Sequence, residues 1–310
     1  MARHKKTINI QTVANEADVS VTTVSRVINH HTDVSEELRH HIQEVMDRVN
    51  FIPTRGREWI SNIGVVVSPE APMLGEYPAR VIDGMTEYAG NHPLDMSVIM
   101  NYNPDGGKPL LRTIREHRCD GVVLLMCDEL RHELEALDKA KLPIMAINSP
   151  YRSATCGYID NESYSGARQM VEYLIGLGHR AIGVICAKLE FSANHQQRLA
   201  AYHDAMRAAG IKVREAQIAE HIPTVLGQTA GYRQTLQLFG RCPDLSALFV
   251  LNDELAMGAL KACWDTGRRV PDDISVVGFD GLPIGEFFHP ALTTVQQPLA
   301  RIGYLAIQYL

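Results

Sequence analysis

Asn9–Asn29 reads NIQTVANEADVSVTTVSRVIN, and its two apolar periodicities decide how the rest of the chain divides. Ile10, Val13, Ala14 and Ala17 recur at helical spacing behind Asn9, whose side chain can cap the free amides of a first turn. Asp18 and Val19 interrupt this short amphipathic helix. Ser20 is placed to cap a second helix in which Val24, Val27 and Ile28 form the apolar stripe, leaving Val21, Thr22, Thr23, Ser25 and Arg26 mostly on the other face. Two short helices across a tight turn form a helix-turn-helix. They cannot bury a core alone, and the third helix they require follows: Ser35 as N-cap, Glu36 and Glu37 where the dipole favours carboxylates, then Leu38, Ile42, Val45, Met46 and Val49 on one face. The second helix is left projecting small polar side chains and one arginine. Such a face suits a DNA major groove, because arginine bonds guanine bidentately and short side chains approach base edges and thymine methyls. The same pattern also suits a three-helix interaction module that touches no DNA.

At these residues the chain resembles the LacI/GalR (lactose-repressor/galactose-repressor) family of bacterial transcription regulators, whose members carry V-A-x-x-A-G-V-S-x-x-T-V-S-R-V-x-N. Val13-Ala14, Ala17, Val19-Ser20, Thr23-Val24-Ser25-Arg26-Val27 and Asn29 stand in register with it. The resemblance implies that Val21, Thr22 and Arg26 read bases, while Ser20, Thr23, Ser25 and Asn29 serve packing, capping or phosphate contacts. Asp18 replaces the glycine of the turn, and aspartate tolerates left-handed backbone better than most residues. After the third helix the family has Y-x-P-N-x-x-A-R-x-L, a hinge helix on operator DNA whose leucine wedges into the minor groove. Phe51–Ile60 matches it, with Ile60 at the wedge position. Gly56 costs about 1 kcal/mol against alanine in a helix and Glu58 sets a negative charge near phosphates, whereas Arg55 and Arg57 act the other way. The expected hinge contributes less than in relatives.

The length, 310 residues, suits one large or two ordinary domains. Arg3-His4-Lys5-Lys6 leads into polar helices without the apolar run of a secretory signal, and no stretch is long enough to span a bilayer, so a cytoplasmic protein without membrane partners is expected. Six scattered cysteines form no C-x-x-C pair and read as reduced, buried thiols. Net charge is −6, yet acidic and basic residues balance within Met1–Ile60, so composition supports DNA binding only weakly. His4, His30, His31, His40 and His41 add charge near phosphates at low pH; read instead as a metal cluster they lack support, since paired surface histidines are commonly solvated. Asp105-Gly106-Gly107-Lys108 is a turn lacking the second half of a phosphate loop, and no G-x-G-x-x-G follows the first strand. Neither H-E-x-x-H nor G-x-S-x-G occurs. The expectation is no enzyme, no catalytic residues, no metal and no cofactor.

Beyond Ile60, apolar runs alternate with amphipathic helices, the pattern of parallel α/β architecture. Strands are expected at 63–67, 96–100, 121–126, 144–148, 157–159, 181–186, 247–251, 274–279 and 293–295, with helices at 80–89, 110–117, 164–177, 195–208 and 255–266. The resemblance extends here through Ile63-Gly64, Asp120-Gly121, Asp160-Asn161, Gly178-His179, Asn252-Asp253, Gly258-Ala259, Pro271, Gly278-Phe279-Asp280 and Leu292-Thr293-Thr294-Val295. It implies an α/β fold: an N-terminal three-helix helix-turn-helix headpiece with a shortened hinge over 1–60, then a two-lobed periplasmic-binding-protein-like core of doubly wound parallel sheets over 61–310. The core would bind effector and dimerise, its first lobe spanning about 61–160 and 290–310 and its second about 161–289. The sequence stops at Leu310 within a helix read from Leu299; members usually continue with a further strand, so an uncovered sheet edge is expected.

Ligands of open parallel sheets bind outside the carboxyl ends of the strands, where Ser68, Asn148, Asp160, Asn252 and Asp280 fall, with Arg198 on the helix after the 181–186 strand. Arginine, asparagine and aspartate converging on a cleft suit a polyhydroxyl or heterocyclic ligand. By resemblance Arg198, Asn252 and Asp280 match effector contacts and Tyr77 an aromatic of the pocket. Asn252 and Asp280 could instead cap the next element, Arg198 could lie on the surface, and Ser68 and Asn148 rest on position alone. The resulting expectation is a homodimeric repressor of a catabolic operon, binding near-palindromic double-stranded operator DNA under control of a sugar or nucleoside-like effector. The alternative is a sugar-binding sensor with a degenerate headpiece that does not bind DNA.

Overall fold

The computed structural model describes residues 9–28, 31, 33–49, 51, 60–67, 75–99, 109–125, 131–187, 192–220 and 227–310. The chain separates into two compact units, Met1–Ile60 and Ser61–Leu310. In the first, α1 (Ile10–Glu16), α2 (Val21–Ile28) and α3 (Glu36–Arg48) each begin at a side-chain cap. Thr12 N donates to Asn9 Oδ1 at 3.0 Å while Asn9 N donates to Thr12 Oγ1 at 3.3 Å. Ser20 Oγ accepts from Thr23 N at 3.0 Å, and Ser35 Oγ from Leu38 N at 3.4 Å. Asp18 takes φ 52°, so the left-handed turn exists without the glycine. Val13, Ala14, Ala17, Val24, Val27, Ile42, Val45 and Met46, none more than 4% exposed, close the three helices over one cluster. Burial of each larger side chain is worth about 1.5–3 kcal/mol, a term that helices this short need.

The second unit holds β1 (Asn62–Val67), α4 (Glu76–Gly90), β2 (Asp95–Ile99), α5 (Leu110–Glu116), β3 (Gly121–Leu125), α6 (Arg131–Lys139), β4 (Ile144–Ile147) and β5 (Cys156–Ile159). There follow α7 (Ser163–Gly176), β6 (Ile182–Ile185), α8 (Ala193–Ala208), β7 (Ile218–Ala219), α9 (Gly227–Arg241), β8 (Ala247–Val250), α10 (Asp253–Asp265), β9 (Ser275–Asp280), β10 (Thr293–Gln296) and α11 (Leu299–Gln308). The strands form two all-parallel sheets, β2-β1-β3-β4-β5 and β10-β9-β8-β6-β7, in registers such as Ile63↔Gly121 and Val184↔Phe249. Helices cover both faces, which is why β3, β4, β6 and β8 are buried from end to end. In the second lobe α7 and α8 share one apolar cluster and α9 and α10 the other.

Element ends differ from expectation by a few residues. The largest shift is in α4, which starts at Glu76 rather than Arg80 because the missing N–H of Pro78 falls in the first turn, where amides have no helical acceptor. Two helices escape a reading by apolar period. On α9 the buried face includes Gly231, Gln234 and Thr235, and in α6 only Leu134 and Leu137 mark the inner side. The lobe division also needs correction: 290–310 does not belong wholly to the first lobe. β10 pairs with β9, Thr294 opposite Gly278, and so ends the second sheet; only α11 crosses over, packing on α4. Among the described cysteines, Cys119, Cys156, Cys186, Cys242 and Cys263 are free and buried. No helix among the described residues is long and apolar enough to cross a membrane.

Candidate functional site

The outward face of α2 follows from its amphipathicity. Val24 and Val27 turn into the core, Thr22 and Arg26 are exposed, as is Ser20 at the cap, and Val21, Thr23 and Ser25 are half-buried. Thr23 is also committed to the cap, its Oγ1 lying 2.8 Å from Ser20 Oγ. Asn29 lies outside the described residues, as do 52–59 of the expected hinge; Ile60 is half-buried at the end of the first unit.

In the second unit, chain topology brings polar residues to the carboxyl ends of the strands. Asn148 follows β4 with φ 59°, Asp160 follows β5, Asn252 follows β8, and Asp280 ends β9. Ser68 lies outside the described residues. Arg198, on α8, is 3% exposed: its Nη1 donates to Leu251 O at 2.5 Å and lies 3.5 Å from Asp280 Oδ1, its Nε donates to Ser163 Oγ at 3.4 Å, and its guanidinium stacks 3.7 Å from the Phe279 ring. Asp280 Oδ1 also accepts from Gln297 Nε2 at 2.6 Å. Gln297 Oε1 in turn accepts from Asn161 Nδ2 at 2.6 Å, and Asn161 Oδ1 from Ser163 Oγ at 2.6 Å, which closes a ring back to Arg198. Asn161 Nδ2 reaches Asn148 Oδ1 at 3.4 Å, and Asn148 Nδ2 donates to the Tyr77 hydroxyl on α4, so the network spans both lobes.

Asn252 stands apart. Its Oδ1 accepts from Leu255 N at 2.8 Å and caps α10, the structural alternative its sequence position allowed. Asp160 accepts from Asn161 N at 2.8 Å. Sequence reasoning did not single out Asn161, Ser163, Gln297 or Asp253 as site residues; Asn161 and Asp253 stood inside the quoted pairs, whereas nothing local marks Ser163 or Gln297. Asp253 is buried, accepting from Thr294 Oγ1 at 2.6 Å and Leu282 N at 2.8 Å, while its own N–H points to Asp280 Oδ2 at 3.4 Å.

Burial pushes the Asp280 carboxyl up from its ordinary range, Arg198 draws it back, and neighbouring Asp253 pushes it up again. Burial likewise lowers the Arg198 guanidinium and raises the Tyr77 hydroxyl. Asp280 holds φ 135°, a conformation that favours glycine and costs about 1–3 kcal/mol, with Gln297 N donating to its carbonyl at 3.0 Å. Backbone strain therefore sits at the carboxylate that the ring converges on.

Beside Arg198, buried His195 Nδ1 and Asn194 Oδ1 have no hydrogen-bond partner among the described residues. Burial, helped by the arginine, depresses His195 to about 3. A folded-state value below the unfolded one means that protons bind the unfolded chain preferentially as pH falls beneath about 6.5, so stability is lost toward acid until the folded ring titrates. Urea unfolding is expected to show wild type losing about 2 kcal/mol more than His195→Leu between pH 7 and pH 5. Equal losses would mean that the ring protonates freely in the folded protein.

The family described as bacterial regulatory proteins of the lacI family matches residues 9–54, and a periplasmic-binding-protein-like domain matches residues 171–310. The HTH-type transcriptional repressor PurR of Vibrio campbellii is 31% identical over 314 residues, covering 97% of this chain and 90% of its own. The lac repressor dimer bound to operator and the anti-inducer ONPF is similar with a TM-score of 0.75 and 26% identity, and the complex of the transcriptional regulator CelR with cellobiose with a TM-score of 0.72 and 27% identity. Each comparison covers 98% of this chain and 92% of the other. The chain thus belongs to the LacI family of bacterial regulatory proteins, DNA-binding transcriptional repressors with an effector-binding core.

Proposed function

We propose that the chain is a cytoplasmic, homodimeric repressor of a catabolic operon, released from or held on a near-palindromic operator by a sugar or nucleoside-like effector bound between the core lobes. The observation that carries the reading is the pairing, in one chain, of an outward Thr22 and Arg26 on α2 with a cleft network built around the buried Arg198 and Asp280. On α2, Val21, Thr22 and Arg26 read bases, and Ser20, Thr23, Ser25 and Asn29 serve capping and phosphate contacts. In the core Ser68, Tyr77, Asn148, Asp160, Arg198, Asn252 and Asp280 bind the effector, Asn252 while also capping α10 through its Oδ1. Fixed donors and acceptors of this kind reject analogues lacking the matching hydroxyl or ring nitrogen, which supports a polyhydroxyl or heterocyclic ligand. CelR with cellobiose and the lac repressor with ONPF are relatives in which such a molecule is bound.

One headpiece covers too little surface for repressor-grade affinity, and two joined heads gain effective concentration when their spacing matches the half-sites. Arg26→Ala is expected to cost about 1–3 kcal/mol per half-site and to relax base preference where the arginine contacts. Ile60→Ala, at the end of a hinge opposed by Gly56 and Glu58, should change affinity and DNA bending only slightly. Fluorescence anisotropy on operator variants and circular-permutation gel shifts make both measurements. Equal binding of random DNA by wild type and Arg26→Ala would refute base reading by α2, and a large loss of bending in Ile60→Ala would restore the full hinge role.

A further inference from the structure

Arg26 does not stand free on the face of α2. His31 N donates to Arg26 O at 3.0 Å and His31 O accepts from Arg39 Nη2 at 2.7 Å, so the chain leaving α2 is tied at His31 to both α2 and α3. Two residues later Asp33 brings its Oδ2 to 3.1 Å from Arg26 Nη1, with both side chains 53% exposed. An ion pair this exposed adds little to stability, so its consequence lies in where it holds the guanidinium and in the charge it adds beside the reading helix.

We infer that Asp33 is a positioning residue for DNA recognition: it holds the Arg26 guanidinium for base contact and opposes binding to DNA of the wrong sequence. The inference rests on the reading of α2 as the base-contacting helix. A guanidinium carries five donors in a rigid fork, and a carboxylate on one edge leaves others for guanine O6 and N7. Without that partner the flexible side chain turns as readily to a phosphate, which holds no sequence information. The Asp33 carboxylate itself repels the DNA backbone. In a headpiece whose acidic and basic residues balance, this repulsion has no surplus of positive charge to offset it, so it weighs on any complex that lacks base contacts. Asp33 therefore weakens non-specific association more than specific association.

The test uses the full chain and an operator that it selects from a library of randomised duplexes, compared with single-base variants of that operator and a random-sequence duplex over a range of salt. In Asp33→Asn, binding to the random duplex is expected to tighten roughly threefold to tenfold, with a salt dependence steeper by about one power of concentration as Arg26 moves to a phosphate. The ratio of operator to random affinity falls, and base preference relaxes at the position where Arg26→Ala relaxes it. In Arg26→Ala/Asp33→Asn the second change should relax preference no further. If Arg26→Ala relaxes one position but Asp33→Asn leaves every preference and the affinity ratio unchanged, Asp33 has no such role and the reading of α2 stands. If Arg26→Ala alters no preference, the reading of α2 fails and this inference fails with it.

Discussion

Arg198→Ala is expected to lose about 3–5 kcal/mol of stability in the second unit and, with it, the response to effector. Truncation removes the donor to Leu251 O and leaves Asp280 buried beside Asp253 with no cation to compensate. Protonation of Asp280 is the escape. A carboxyl whose folded value lies above its unfolded one contributes stability at low pH that is lost as pH rises, and removing the arginine raises the folded value further. The deficit relative to wild type should accordingly widen between pH 7 and pH 9, as pH passes the value of about 8 to which Asp280 is pushed in the wild-type fold. Urea unfolding at the two pH values measures it, and a deficit that is small and independent of pH would show that Arg198 and Asp280 do not act as a buried pair. Asp280→Asn is the gentler companion. It keeps the Oδ1 acceptor of the ring while exchanging the Oδ2 acceptor for an amide donor, so the fold and operator binding survive and calorimetry with a ligand found by thermal-shift screening should show affinity weaker by about 1–3 kcal/mol. Unchanged affinity in both variants would remove the cleft from the binding reaction.

How far the sequence displays this site depends on the distance over which each contact acts. The three headpiece helices are legible because their signals are local: caps at Asn9, Ser20 and Ser35 stand next to apolar stripes that complete one cluster. The buried strands β3, β4 and β8 are legible as unbroken apolar runs, whereas the two-residue β7 is absent from the expected strands; strand ends locate Asn148, Asp160 and Asp280. Asn252 is the instructive case. It precedes Asp253 and Glu254 at a helix start, a local pattern that describes its cap correctly, and its place at a strand end suggests a ligand contact that a cap made through Oδ1 alone does not oppose. The ring has no local signature. Asn161 meets Gln297 across 136 positions and Ser163 meets Arg198 across 35, and only the return of the chain between the lobes brings them together. The same non-local step assigns β10 to the second sheet, since a four-residue strand looks alike at the edge of either.

That return is held by a packing contact whose disruption should reach the cleft. The helices α4 and α11 approach so closely that a Cβ added at Gly303 would sit 1.8 Å from Val81 O, and one at Gly84 would sit 1.7 Å from Ala300 O. Both obstacles are backbone atoms, which cannot rotate aside as a side chain does. Gly303→Ala must therefore separate the two helices, and the expected loss is at least about 3 kcal/mol, at or above the upper end of ordinary overpacking. The consequence extends beyond stability because α11 begins two residues after Gln297, which bonds Asp280 of the second lobe and Asn161 at the other crossover. A displaced α11 shifts Gln297 and opens the ring around Arg198, so effector affinity should fall in a protein that touches the ligand no differently at any other residue. Ala300→Gly, which removes a methyl without adding bulk at the contact, serves as the control. Thermal unfolding and calorimetry on Gly303→Ala decide the matter: a stable protein with native affinity would mean that α11 can slide on α4, whereas loss of both together ties the helix contact to the cleft.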